Sequence, residues 1–110
     1  MAKIAVVEDN AAVRQELCGF IAQYAQESGQ LLEVTPFADG SQIVEPYRPG
    51  FDIIFLDIEM PTLGGMPTAE RIRLLDPDVV LIFVTNMAQY AIRGYEVDAL
   101  DFVLKPVSYY

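Results

Sequence analysis

Polar residues follow three separate apolar runs of this chain, and together they could bind a cation and an anion. Glu8 and Asp9 end the first run, Asp57 and then Glu59 follow the second, and Lys105 ends the last. If these runs are neighbouring parallel strands, the polar residues meet at the carboxyl edge of the sheet, where open α/β sheets bind their ligands. Clustered carboxylates favour a hard cation such as Mg²⁺, which prefers oxygen ligands. A lysine beside them favours an anion such as a phosphoryl group.

Asp57 has a further chemical option in such a site. A carboxylate can attack phosphorus and become an aspartyl phosphate, while a cation neutralises charge on the transferring group. Lys105 could pair with the phosphoryl oxygens, and Thr85, which ends another apolar run, could donate its hydroxyl to them. Taken singly, these are ordinary exposed acids and lysines or strand threonines. Their convergence on one edge is what indicates a site.

The elements that must position these residues alternate between strands and helices, which predicts βαβ units and a parallel sheet. Strands are predicted at about 3–7, 31–37, 52–56, 79–84 and 100–104, and helices after Asn10, after Asp39, around Pro67 and at about 87–95. Pro36 lacks a ladder donor, which assigns the second strand to an edge of the sheet. In the third helix, Ala69, Ile72 and Leu75 are predicted to face the core.

Capping and breaking residues bound the predicted helices. Asn10 is a plausible cap of the first helix, and Ser28-Gly29 closes it. Asp39 opens the second helix, which Arg48-Pro49-Gly50 is predicted to end, and Pro77 stops the third. These signals are local, so they predict where helices begin and end without any knowledge of the tertiary fold.

Composition excludes several classes of function. The net charge is 7 − 16 = −9, whereas a nucleic-acid reader usually carries a basic patch. No apolar run approaches the roughly 20 residues of a membrane span, and no signal-peptide pattern opens the chain, so a cytoplasmic location is expected. Cys18 is the single cysteine and there is no histidine, which excludes an internal disulfide and removes the commonest zinc ligand. Nucleotide binding is disfavoured, because neither glycine-rich phosphate loop is present.

The same residues, taken in order, resemble a known family. The resemblance rests on Glu8-Asp9, the run Asp57-Ile58-Glu59-Met60-Pro61, Thr85 and Lys105-Pro106. This set is similar to the receiver domain of bacterial two-component response regulators, and it covers nearly the whole chain in order and spacing. The segments 86–91 and 99–106 are similar to receivers that precede a LytTR-type DNA-binding domain. The resemblance implies a flavodoxin-like (CheY-like) doubly wound sheet of five parallel strands in the order 2-1-3-4-5.

The resemblance also implies a metal site and a phosphoacceptor. Asp57 would accept the phosphoryl group from a sensor histidine kinase. Asp9 and Asp57 would bind Mg²⁺ together with the backbone carbonyl of Glu59, and Glu8 would assist through water. The chain would then be a signalling switch and not an enzyme, apart from self-catalysed phosphorylation and dephosphorylation.

Further residues would carry the signal away from the phosphoacceptor. Thr85 and Lys105 would bind the phosphoryl group, and Phe102 matches the aromatic residue that reorients when the threonine moves. The output surface would be formed by the fourth helix, the fifth strand and the fifth helix, and a possible homodimer would form through the fourth helix and fifth strand. Residues 1–110 would form the receiver alone, truncated before its last helix, because the chain stops too soon after the fifth strand to supply one. DNA would be bound through an output domain absent from this segment.

Two other functions fit parts of the pattern. A Mg²⁺-dependent phosphatase with an aspartyl-phosphate intermediate resembles haloacid-dehalogenase-like enzymes, but those use Asp-x-Asp where this chain has Asp57-Ile58-Glu59. A docking module of the same fold that is never phosphorylated is the other alternative. The complete set of Asp57, Thr85 and Lys105 argues against it.

Overall fold

The structure is a computed structural model that describes residues 2–58, 60–85 and 101–104, with the backbone alone at Thr85 and 101–104. Strands and helices alternate in its first seven elements, as expected for βαβ units. The elements in chain order are β1 (Ala2–Val7), α1 (Ala11–Ser28), β2 (Leu32–Phe37), α2 (Gly40–Val44), β3 (Ile53–Leu56), α3 (Gly65–Leu75), β4 (Val80–Thr85) and β5 (Asp101–Leu104). The predicted helix at about 87–95 lies outside the described residues.

The five strands form one parallel sheet in the order β2-β1-β3-β4-β5, which confirms the predicted fold class. The edge position predicted for the second strand is also confirmed, and Pro36 lies opposite Val6 there. In the centre of the sheet, Val7 pairs with Leu56, and Leu56 pairs with Phe83. The carboxyl ends of β1, β3 and β4 therefore meet at one edge.

Side chains of the central strands alternate between two cores, because successive strand residues point to opposite faces. Ala5 and Val7 pack in the larger core with residues of α2 and α3. Val6, between them, packs on the other face with Leu17 of α1 and with Val84. Covering both faces explains why β3 and β4 are apolar throughout their central residues.

Local capping follows the sequence signals. The side chain of Asn10 accepts a hydrogen bond from the amide of Val13, with 3.1 Å between Oδ1 and N. Gly29 ends α1 in the left-handed conformation, with a φ of 70°. The second helix is shorter than predicted and ends at Val44, since the residue before Pro46 is driven out of the helical region.

One prediction about the third helix is wrong. Ala69 and Ile72 are fully buried, but the side chain of Leu75 is 60% exposed. Each three-residue step falls about 60° short of a full helical turn, so Leu75 is rotated by about 120° from Ala69. It is also the last residue of α3 and has left the face that contacts the sheet.

Candidate phosphoacceptor and metal site

Glu8 is held at the end of β1 by both its backbone and its side chain. Its amide donates to the carbonyl of Phe37 at 2.9 Å, which continues the pairing of β1 with β2. Oε2 of Glu8 accepts a hydrogen bond from the amide of Asn10 at 3.1 Å. The guanidinium of Arg14 donates to the backbone carbonyl oxygen of Glu8 at 2.8 Å. Glu8 is only 1% exposed, so a carboxylate is fixed beneath the start of α1.

Asp57 is held in a similar way at the end of β3. Its amide donates to the carbonyl of Val7 at 3.0 Å, and its Oδ1 accepts from the amide of Ile58 at 2.8 Å. The residue is 6% exposed. The strand pairing thus brings Asp57 next to the residue that follows Val7, which is Glu8.

Three carboxylates converge at this edge. One carboxylate oxygen from each of Glu8, Asp9 and Asp57 lies within 4.8 Å of the others. Glu8 and Asp57 are buried, whereas Asp9 is exposed, so the cluster opens to solvent on the Asp9 side. The donor set is all oxygen, which is the kind of ligand that Mg²⁺ prefers. The described residues therefore fit a hard cation, as the sequence predicted.

Of the remaining predicted site residues, the structure describes the backbone of two, Thr85 and Phe102. Thr85 ends β4 and pairs with Leu104 of β5. Phe102 of β5 pairs with Phe83 of β4. Lys105 follows Leu104 directly but, like Glu59, lies outside the described residues. The side chains of Thr85 and Phe102 also lie outside what the structure describes, so the phosphoryl contact of Thr85 and the reorientation of Phe102 stay predictions.

The helix that follows Asp57 approaches its backbone closely. A Cβ atom at Gly65 would collide with the carbonyl oxygen of Asp57. The amide of Gly65 donates to the carbonyl of Ile58 at 2.7 Å. A glycine is therefore required here for steric reasons, and α3 starts directly against the residues that carry the candidate phosphoacceptor.

Sequence reasoning identified Asp39 only as the start of a helix, but the structure shows a second set of contacts. Its Oδ2 accepts from the amide and hydroxyl of Ser41 at 2.9 and 2.8 Å. Its carboxylate also accepts from the amides of Thr62 and Leu63, each at 3.0 Å. Burial raises the pKa of the Asp39 carboxyl, but these hydrogen bonds outweigh it and lower the pKa below its ordinary value. Only the helix-capping role has a signal in the sequence.

No helix among the described residues is long and apolar enough to cross a membrane.

Comparison with known proteins agrees with the fold and the site. The chain is 32% identical to the sensory transduction protein LytT of Oceanobacillus iheyensis over 110 residues, which cover 96% of this chain and 42% of LytT. It is 33% identical to the transcriptional regulatory protein BtsR of Escherichia coli K12 over 111 residues, covering 98% of this chain and 44% of BtsR. The chain thus spans less than half the length of these two relatives.

Solved structures show the same architecture. The non-phosphorylated HemR receiver domain of Leptospira biflexa superposes with a TM-score of 0.85 at 29% identity, covering 98% of this chain and 85% of that one. The response regulator TrrA of Thermotoga maritima, solved in complex with Mg²⁺ and BeF, gives a TM-score of 0.80 at 28% identity, with coverages of 99% and 90%. The family model of the response regulator receiver domain matches residues 4–109. The chain therefore belongs to the response regulator receiver domain family.

Proposed function

We propose that this chain is a phosphorylation-controlled signalling switch in which Asp57 accepts a phosphoryl group. The observation that carries the proposal is the convergence of the Glu8, Asp9 and Asp57 carboxylates within 4.8 Å. Asp9 and Asp57 would hold Mg²⁺ directly, with the Glu59 carbonyl as a further ligand and Glu8 acting through water. Bound there, the cation would neutralise negative charge on the incoming phosphoryl group.

The chemistry at Asp57 is the transfer of a phosphoryl group from a donor atom to a carboxylate oxygen. A carboxylate oxygen of Asp57 forms a bond to phosphorus while the bond from phosphorus to the donor atom breaks, and the donor leaves with that electron pair. The hydrogen bond from the Ile58 amide to Oδ1 orients the carboxylate of Asp57. Thr85 and Lys105 would bind the phosphoryl oxygens, and movement of Thr85 would reposition Phe102.

The phosphoryl donor lies outside these residues. The 110 residues contain no histidine, so a phosphohistidine donor has to be supplied by another segment or protein, and we propose a sensor histidine kinase. The switch itself would turn over only its own phosphoryl group, and it would act in the cytoplasm. A steady-state assay with phosphate esters should therefore show no turnover.

The proposed output is transcription. LytT is a sensory transduction protein and BtsR a transcriptional regulatory protein, which supports assignment to the LytTR-type subgroup. The net charge of −9 argues against direct binding of nucleic acid by this segment. DNA would therefore be bound by an output domain beyond it, and phosphorylation would control that domain, or a homodimer, through the surface of the fourth helix and β5.

Phosphorylation by a small donor tests the proposal. Incubation with acetyl phosphate and Mg²⁺ should add one acid-labile phosphoryl group, detected by intact-protein mass spectrometry. Asp57→Asn should abolish the addition. Asp52→Asn is the matched control, because Asp52 precedes the same strand at its opposite end and contacts the amide of Lys3. Incorporation that persists in Asp57→Asn removes the role of Asp57, and no incorporation in the unsubstituted chain supports a docking module instead.

A further inference from the structure

The buried carboxylate of Asp39 connects two elements that are distant in sequence. Asp39 is 7% exposed and caps α2 through the amide of Ser41. The same side chain accepts hydrogen bonds from Thr62 and Leu63, which are 23 and 24 residues further along the chain. These two residues belong to the loop between β3 and α3, here called the 58–64 loop. A helix cap needs one acceptor, so the loop contacts go beyond capping.

The 58–64 loop is fixed at both ends. At its start, the carbonyl oxygen of Ile58 accepts a hydrogen bond from the amide of Gly65, with 2.7 Å between O and N. At its far end, both the hydroxyl and the amide of Thr68 donate to the carbonyl of Gly64, at 2.7 and 3.0 Å. Thr68 is fully buried. Between these two anchors, the hydrogen bonds from Thr62 and Leu63 to Asp39 bind the loop to α2.

Gly40 brings α2 close enough for these contacts to form. A Cβ atom at Gly40 would collide with the side chain of Thr68 and would come within 2.5 Å of the carbonyl oxygen of Leu63. The pair Asp39-Gly40 therefore acts as a unit. The glycine allows α2 to approach the loop, and the carboxylate accepts hydrogen bonds from two loop amides.

We propose that Asp39 is a positioning residue for the metal site, acting through the 58–64 loop. In sequence, Glu59 lies in this loop, after Asp57 and before Thr62 and Leu63, whose amides donate hydrogen bonds to Asp39. Fixing the loop at Thr62 and Leu63 restrains the chain that follows Asp57, whose carboxylate belongs to the proposed Mg²⁺ site. The inference rests on the proposed function, since it concerns the same metal site.

The chemistry of the side chain distinguishes this role from simple capping. Oδ1 accepts from Thr62, whereas Oδ2 accepts from Ser41 and Leu63. An asparagine has one acceptor oxygen, and its amide nitrogen only donates, so it cannot satisfy both sets. A serine can still cap α2 but is too short to reach both loop amides.

Mg²⁺ titration of variants tests the inference. We expect Asp39→Asn and Asp39→Ser to weaken Mg²⁺ binding about tenfold, the lower end of the effect of losing an outer-shell partner. Ser41→Ala is the matched control, because it removes a hydroxyl contact to Asp39 without touching the loop, and it should bind Mg²⁺ as the unsubstituted chain does. Backbone amide chemical shifts, followed during titration with MgCl₂ at constant ionic strength, give the affinities and show that each variant is folded.

The outcomes separate the inference from the proposed function. Folded Asp39 variants with unchanged Mg²⁺ affinity overturn the inference, as does an equal loss in Ser41→Ala. Absence of Mg²⁺ binding by the unsubstituted chain overturns the metal site itself.

A second measurement needs no variant. Mg²⁺ should slow hydrogen exchange at the Thr62 and Leu63 amides, since a cation that binds the ordered loop shifts the loop towards that form. Exchange rates at these amides that do not respond to saturating Mg²⁺ contradict the inference.

Discussion

Among single residues, Asp39 shows how a carboxylate can remain ionised when it is nearly buried. Desolvation disfavours its charge, but three backbone amides and one hydroxyl donate to it. The balance lowers its pKa, which means that folding favours the ionised form. Stability and protonation of this residue are therefore linked.

The linkage predicts the effect of acid on stability. Because the pKa of Asp39 is lowered on folding, its stabilising contribution is complete above the ordinary aspartate pKa of about 3.9. The contribution is lost as the pH falls through the lower folded value. We expect the free energy of unfolding to fall more steeply below about pH 4 in the unsubstituted chain than in Asp39→Asn. Urea unfolding across this range measures both curves, and curves that stay parallel contradict the expectation.

The structural elements differ in how far the sequence determines them. The boundaries of α1 were predictable because Asn10 and Gly29 act on their own helix. The convergence of Glu8, Asp9 and Asp57 was predictable too, because parallel strands bring their carboxyl ends together. These signals depend on neighbours in sequence or on strand order alone.

Other features depend on tertiary packing and were missed. Nothing near Asp39 in sequence indicates Thr62 or Leu63, because they become its neighbours only when α2 packs beside the 58–64 loop. Leu75 was placed wrongly because a three-residue spacing drifts around the helix.

Two helical glycines give opposite expectations for the same substitution. Gly19 lies within α1, is exposed, and a Cβ there meets no atom within 4 Å. Gly19→Ala should therefore stabilise the fold by about 0.5–1 kcal/mol. Gly65→Ala would push a Cβ against the backbone of Asp57 and should lower the free energy of unfolding by about 1–3 kcal/mol. Urea unfolding of the two variants checks the signs, and equal shifts would contradict the packing described for α3.

For the molecule as a whole, negative charge is concentrated where a cation would bind. The chain carries a net charge of −9, and three of its carboxylates approach within 4.8 Å. Mg²⁺ that binds only the folded form should raise the free energy of unfolding by about 1.4 kcal/mol at ten times its Kd. Unfolding with MgCl₂ or with NaCl of equal ionic strength separates specific binding from screening.

Asp9→Asn is the matched variant for this effect. It removes one of the three clustered charges, so it should be at least as stable as the unsubstituted chain without Mg²⁺ and should gain less stability when Mg²⁺ is added. An equal gain in both chains, or an equal gain from NaCl, would contradict the proposed metal site.

The identity of the residue that carries the phosphoryl group decides whether the clustered carboxylates do the proposed chemistry. After treatment with acetyl phosphate and Mg²⁺, the acyl phosphate can be trapped and the modified peptide sequenced by tandem mass spectrometry. We expect the modification on Asp57, at the end of β3. A phosphoryl group on Asp9 or on a hydroxyl side chain, or none at all, would contradict the assignment of Asp57 as the phosphoacceptor.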